Sequence, residues 1–271
     1  RYQNEKYIKQ CYDLKVNVQS NVPTIFAMMA TSPLLKEYNF DFVKRVGFGG
    51  SPIYQHTLEM LRKIFPNATL HNVYGATETT SPATIMPKEY PMSKASSVGL
   101  PVETSHIKIV DSNDQELGPN EVGELLIKGP MVIGEYWDNP EANRTSFVDG
   151  YWRSGDIGKI DEDGFVYILD RKKDMINRGG EKIFSIEVED VLKKHPEILE
   201  AAVVGVPDDI YGEKVKAFIA SQTLAEKDID AIKAYCSQHL AKFKIPEFFE
   251  FMDELPKNAS GKVLKHQLRN K

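Results

Sequence analysis

The sequence predicts an α/β and α+β protein of more than one domain, on three observations. Residues 1–96 alternate helical and strand-like apolar spacing, the pattern of a partial parallel sheet. Residues 97–171 hold short alternating strands broken by polar turns, as in a small antiparallel barrel or sheet. Residues 172–271 mix strands with amphipathic helices, the texture of a compact α+β domain. A chain of 271 residues has room for about two domains, each with its own core.

In the first region, Glu5 to Leu14 is spaced as a helix, Lys44 to Phe48 as a short buried strand, and Gln55 to Ile64 as an apolar-periodic helix. A further strand leads into Asn72. Between strand and helix, Phe48-Gly49-Gly50-Ser51-Pro52 is a turn whose missing side chains admit a close backbone neighbour, although a plain strand-to-helix turn explains it equally well. In the second region, His106 to Val110, Gly123 to Ile127 and Phe165 to Leu169 are strands separated by Asp-Ser-Asn-Asp and Asp-Glu-Asp-Gly turns. The charged run Asp170-Arg171-Lys172-Lys173-Asp174 is too polar to lie buried between apolar strands, which places a domain boundary there. Beyond it, Ser185 begins a helix running to His195, with Glu187 and Glu189 in its first turn. Ala201 to Val206 and Val215 to Ala220 are strands, and Ile229 to Leu240 is a second amphipathic helix.

Composition excludes several functions. With 34 basic against 39 acidic residues the formal charge is −5, so the chain lacks a broad footprint for a nucleic-acid backbone, and any polyanion it holds should be small and held locally. The longest apolar stretch, Val22 to Ala30, is interrupted and far short of the ~20 residues of a membrane span. No signal-peptide layout is present. Cys11 and Cys236 have no metal-type spacing and suit a reducing compartment, so a cytoplasmic location is expected.

Four segments could carry chemistry. Asn72-Val73-Tyr74-Gly75-Ala76-Thr77-Glu78 follows a strand; its aromatic could stack on a base, its threonine could touch phosphate, and its glutamate could ligate a hard cation. In Ser154-Gly155-Asp156 the carboxylate could accept two hydrogen bonds from a ribose diol, or simply form an Asx-turn. Asp170 to Lys182 couples the charged run to Gly179-Gly180. Pro256 to Lys262 is a loop placing one lysine at its tip; alone it means little, since most such lysines face water.

Taken together and in order, these segments resemble the adenylate-forming superfamily of acyl-CoA synthetases, luciferases and peptide-synthetase adenylation domains, closest to the acyl-CoA synthetases. The resemblance runs through Gly49-Gly50-Ser51-Pro52, Tyr74-Gly75-Ala76-Thr77-Glu78, Gly123-Glu124-Leu125, Gly134-Glu135-Tyr136-Trp137, Ser154-Gly155-Asp156, Asp170 to Asp174 and Ser260-Gly261-Lys262.

It implies the C-terminal part of a large AMP-binding domain (1–96 and a barrel-like 97–171) followed by a mobile lid, 172–271, hinged near Lys173. It implies a ligase that joins a carboxylic acid, with a fatty acid favoured, to ATP and passes the acyl group to coenzyme A. By the same similarity Lys262 is the catalytic cation, Glu78 holds Mg²⁺, Thr77 touches phosphate and Tyr74 flanks adenine. Gly49, Gly50, Ser51, Asn72, Val73, Gly75 and Ala76 line the nucleotide pocket. Asp156 and Arg171 hold the ribose, Lys182 reaches phosphate, and Gly179 and Gly180 line the coenzyme A tunnel. Val22 to Met29, with Gly47, Gly49 and Gly50, is either an acyl-pocket wall or core.

The family's Ser/Thr/Gly-rich phosphate loop ending in Pro-Lys-Gly is absent from these residues. The expectation is therefore a C-terminal fragment, with little adenylating activity alone and a homodimer formed through the truncated large-domain face. Two other readings stand beside it: an amino-acid adenylation domain feeding a carrier protein, and a non-catalytic module retaining the fold.

Overall fold

A computed structural model of the chain describes residues 2–51, 53, 55–258 and 261–269. Pro52 and Ser260, from two of the motifs above, lie outside the described residues. The chain forms two compact units, Arg1–Ile168 and Leu169–Lys271, dividing just ahead of the charged run.

In the first unit, α1 (Asn4–Asp13) buries Ile8 and Cys11 on one face and leads to β1 (Val18–Asn21). α2 (Pro23–Ala30) starts on a proline, which lacks the N–H that a first turn leaves unpaired anyway. It delivers Phe26 and Met29 to the core, the plainer of the two readings of Val22 to Met29. β2 (Arg45–Gly49), α3 (Gln55–Ile64) and β3 (Thr69–Tyr74) follow. β1, β2 and β3 are parallel neighbours, and the rings of Phe26, Phe40 and Phe65 pack edge-on beneath them at 5.7–6.4 Å.

Two strands of two residues each, β4 (Thr84–Ile85) and β5 (Leu100–Pro101), extend this sheet antiparallel, so it is mixed, and β5 lies past residue 96. Gly99 makes the junction possible. Its φ is +92°, and a Cβ there would run into the Ile85 backbone. From this position it accepts the Val166 N–H at 2.9 Å.

The second sheet comprises β6 (His106–Val110), β7 (Gly123–Lys128), β8 (Phe147–Val148), β9 (Tyr151–Ile160) and β10 (Val166–Arg171). Its order is β10-β9-β7-β6 with β8 paired to β9, and α4 (Pro140–Ser146) precedes β8. Ile109, Leu125 and Val166 fill one of its cores.

The second unit continues with β11 (Ile176–Arg178), β12 (Glu181–Ile183), α5 (Ser185–Lys193), β13 (Glu200–Asp208), β14 (Gly212–Ala220), α6 (Ile229–Ser237), β15 (Phe248–Met252) and α7 (Lys265–Arg269). The central β13–β14 hairpin is buried on both faces, and the strand period of two divides its residues between two cores. Ala201, Val203, Ala217 and Ile219 meet α5 and α6; Ala202, Val204, Phe218 and Ala220 meet Leu255 and Leu268.

Three expectations need correction here. α5 ends at Lys193 rather than His195, where Lys194 and His195 turn their N–H groups back on Val191 and Leu192; its first helical residue is Ser185, as expected, preceded by the extended Phe184. The cap comes from Asp170, whose carboxylate accepts both the Ser185 N–H and, at 3.0 Å, the Ser185 hydroxyl. Consequently the charged run is not uniformly solvated: Lys172 and Lys173 are exposed, whereas Asp170 is 1% exposed. Burial pushes the Asp170 carboxyl above its usual range, against the opposing pull of Lys265 and the Ser185 donors. Finally, α6 stops short of Leu240, because Gln238 and His239 fold their N–H groups back on Tyr235 and Cys236 in a tightened last turn.

Gly99→Ala is expected to lower the unfolding free energy by about 1–3 kcal/mol, since the clash is with backbone at a positive φ. Gly134→Ala, which meets nothing within 4 Å, should change it by less than about 0.5 kcal/mol in the same denaturant titration.

Candidate functional site

The site of the first unit is built where β3 ends. After Tyr74 the chain turns through Gly75 and Ala76 into a single 3₁₀ turn, Thr77–Thr79. A Cβ on Gly75 would press on Thr79 Oγ1, Ala83 N and Pro82 Cα at 3.1–3.2 Å, so any larger residue would have to push the turn aside by a few tenths of an ångström. Thr79 is fully buried and ties the turn to itself, accepting the Ala76 N–H at 3.0 Å and donating to the Ala76 carbonyl at 3.1 Å. Thr77 is left exposed and Glu78 half-buried.

Two tyrosine hydroxyls then fix the carboxylates on either side of this turn. The Tyr74 hydroxyl donates to Asp156 Oδ2 at 2.6 Å, and Asp156 is only 6% exposed. Next to it, Ser154 Oγ accepts the Asp156 N–H at 3.0 Å and donates to the Leu125 carbonyl at 2.9 Å. On the other side, the Tyr136 hydroxyl donates to Glu78 Oε1 at 3.0 Å and accepts from Trp152 Nε1 at 3.0 Å. Burial raises the Tyr136 pKa, the Trp152 bond opposing and Glu78 reinforcing, which keeps the phenol protonated as a donor. Trp152, Ser154 and Asp156 alternate along β9 and share its buried face.

The residues around this pair have structural work of their own. A Cβ on Gly49 would overlap the Val73 carbonyl, its partner across β2 and β3, and Gly50 adopts a φ of +79° ahead of the half-buried Ser51. The Asn72 side-chain amide donates to the Ser97 carbonyl at 3.1 Å, and the Asn72 main-chain carbonyl accepts from the Met86 N–H at 2.8 Å. Among the described residues no three or more His, Cys, Asp or Glu side chains cluster as a metal site. The donor set would suit only an ion that arrives with its own ligands: Mg²⁺ commonly takes one or two carboxylates and completes its shell with phosphate oxygens and water, and Glu78 is a single carboxylate in this turn.

The second unit carries the remaining expected residues. Arg171 ends β10, its N–H donating to Asp170 Oδ1 at 2.8 Å, while its carbonyl accepts from Asp174 and Met175 at 2.9 and 3.0 Å. Lys173 is exposed, and its carbonyl accepts from Arg269 at 2.9 Å. Gly179 and Gly180 form the β11–β12 turn with φ of +62° and +95°. Their N–H groups donate to the Tyr211 carbonyl at 2.7 Å and Asn177 Oδ1 at 3.0 Å. Lys182 is exposed on β12 opposite Asn177. Lys262 is exposed in a loop closed by reciprocal bonds with Asn258, each 2.9 Å long, beside Gly261 at φ +83°.

The structure thus joins Tyr74 to Asp156 and sets Glu78 in the adjoining turn. Sequence reasoning missed Tyr136 and Trp152 as its supports. The available signal was the burial of an indole N–H, which requires an acceptor.

Residues 2–137 match the family model for AMP-binding enzymes, and residues 187–262 match that for the AMP-binding enzyme C-terminal domain. A 2-succinylbenzoate–CoA ligase of Bacillus licheniformis is 37% identical over 99% of this chain and 54% of its own length. A long-chain-fatty-acid–CoA ligase of Salmonella typhimurium is 36% identical over 97% and 46%. Among solved structures, the Bacillus subtilis o-succinylbenzoate CoA synthetase in complex with its acyl-adenylate intermediate aligns with a TM-score of 0.87 at 35% identity, covering 99% of this chain and 54% of that one. ATP-bound MatB from Rhodopseudomonas palustris aligns with a TM-score of 0.89 at 32% identity, covering 100% and 53%. The chain therefore spans about half the length of the curated relatives it matches.

Tyr136→Phe leaves the buried Trp152 N–H without the phenol oxygen and should cost about 1–3 kcal/mol of stability in chemical denaturation. Combined with Trp152→Phe, the two losses are expected to be less than additive.

Proposed function

This chain belongs to the AMP-binding enzyme family, and on that premise we propose that it forms part of an AMP-forming acid–thiol ligase. In the first half-reaction an oxygen of a carboxylate attacks the α-phosphorus of ATP, the bond to the β-phosphate oxygen breaks, and acyl-AMP and pyrophosphate result. In the second, the thiolate of coenzyme A attacks the acyl carbon and AMP leaves with the electron pair. The relatives named for succinylbenzoate and for long-chain fatty acids favour an acid whose acyl portion is aryl or aliphatic. ATP and coenzyme A are both supplied by the cytoplasm, where the protein would act; among the described residues no helix is long and apolar enough to cross a membrane.

One observation carries the reading: the Tyr74 phenol bonded to the buried Asp156 carboxylate beside Glu78. An ionised carboxylate has about four acceptor positions, so it can accept from a ribose diol as well as from a phenol, and a ring held by that bond would flank a planar base. The backbone of Gly49 to Ser51 and of Asn72 to Ala76 would border that base, and the exposed Thr77 hydroxyl would donate to phosphate. Glu78 would hold Mg²⁺, which when bound offsets charge on the polyphosphate. Arg171 would join Asp156 at the ribose. Lys262 would offset the negative charge that grows as two anions combine, and Lys182 would assist at phosphate. With a hinge at Lys173, one lid could serve both half-reactions, presenting Lys262 for the first and the Gly179–Gly180 turn to the pantetheine arm for the second.

The test uses a protein of the relatives' full length that ends in these residues. Lys262→Ala is expected to lower acid-dependent ATP–pyrophosphate exchange about 10²–10³-fold, while thioester formation from supplied acyl-AMP changes far less. Unchanged exchange in that variant would overturn the assignment.

A further inference from the structure

The segment Gly129 to Trp137, which follows β7, has no part in the function proposed so far, yet it straps the turn that carries Glu78. The Ile133 N–H donates to the Glu78 carbonyl at 2.8 Å, and Thr80 Oγ1 donates to the Met131 carbonyl at 2.8 Å. These bonds fix the backbone of the turn. The Tyr136 hydroxyl, donating to Glu78 Oε1 at 3.0 Å, reaches the carboxylate itself.

That hydroxyl is aimed from behind. An indole N–H can only donate, so the Trp152 bond at 3.0 Å occupies a lone pair of the Tyr136 oxygen and leaves the phenol's own hydrogen for Glu78. The main chain of Tyr136 is held as well. Its N–H donates to Asn143 Oδ1 at 2.6 Å, and its carbonyl accepts from Asn143 Nδ2 at 3.0 Å. Asn143 comes from α4, whose start is capped by Asn139 accepting the Ala142 N–H at 3.2 Å. The ring rests against Phe147 with centroids 5.7 Å apart. An indole, an amide and a phenyl ring thus hold one hydroxyl, and its target is a half-buried carboxylate.

A glutamate that settles on an ion gives up rotamer freedom, and a donor that already holds one of its oxygens removes part of that cost beforehand. Hydrogen bonds to ligating carboxylates commonly decide metal affinity in this way. We propose that Tyr136 is a positioning residue for Glu78, holding Oε1 so that the other oxygen is offered to the divalent cation of a nucleotide, with Asn143 and Trp152 as its supports. This rests on the reading of Glu78 given above.

The first test is a binding measurement on a protein of the relatives' full length that ends in these residues. Calorimetry gives the factor by which excess Mg²⁺, against EDTA, tightens ATP binding. Tyr136→Phe should lower that factor about 10-fold and change the affinity in EDTA by less than about twofold. Asn143→Ala should lower it less, and Y136F/N143A should be no worse than Y136F. Phe147→Leu removes packing from the same ring without touching a polar group, so it should leave the factor unchanged. An unchanged factor in Y136F overturns the proposal. So does an equal weakening in EDTA and in Mg²⁺, or an effect of F147L as large as that of Y136F, since either would mean general loosening.

Glu78→Gln separates this inference from its premise. It should lower the factor at least as far as Y136F, and Y136F should add little on that background. If E78Q leaves the factor unchanged, the reading of Glu78 fails and the role of Tyr136 with it; if E78Q lowers it and Y136F does not, the role of Tyr136 alone fails. In ATP–pyrophosphate exchange, Y136F should raise the half-activating Mg²⁺ concentration about 10-fold and keep the rate at saturating Mg²⁺ within about threefold. A lowered saturated rate with an unaltered Mg²⁺ requirement would also overturn it.

Discussion

The hydrogen bond from Tyr74 to Asp156 is the contact on which the site of the first unit turns. It spans 82 positions of sequence and joins the last residue of β3, in the mixed sheet, to the middle of β9, in the antiparallel sheet. A nearly buried carboxylate is costly unless it is bonded, and a short bond from a phenol is among the stronger ways to satisfy one. Once those two strand positions are tied, the turn between Gly75 and Thr79 has little freedom, since glycine packing, the Thr79 bonds and the Tyr136 hydroxyl confine it from three sides.

The second unit meets a comparable problem differently. Its central hairpin is covered on both faces, so the polar groups at its margins cannot all reach water. Asp170, Ser185, Glu189 and Lys265 resolve this collectively: the lysine donates to the serine, the serine to the aspartate, and the glutamate accepts both the lysine and the Val203 N–H. The network is anchored in a helix start and a strand edge, giving it a fixed geometry from which α7 can bear on the neighbouring chain.

What was legible in the sequence follows from the range over which the cause acts. α3 and β6 lie at the bounds read from apolar spacing, because a hydrophobic stripe is a local property. β4 and β5, two residues each, are too short to have a period. Asp170 sits among four charged neighbours and reads as solvated; its burial is decided by Ser185 and Lys265, 15 and 95 positions away. At the site, Tyr74, Glu78 and Asp156 stand out as residue types in a pattern. That a phenol binds one carboxylate, and a phenol backed by an indole the other, depends on strand pairings that local spacing does not encode.

The two tryptophans of the chain end up in opposite settings, one next to Tyr136 in sequence and the other bonded to its hydroxyl. Trp137 is 93% exposed, whereas Trp152 is 4% exposed with its indole N–H bonded to the phenol. An aqueous indole emits to the red of a shielded one and is open to collisional quenchers, so the molecule contains its own optical gauge. Iodide would silence the first fluorophore and leave the second to report, without any attached dye, on the surroundings of Glu78.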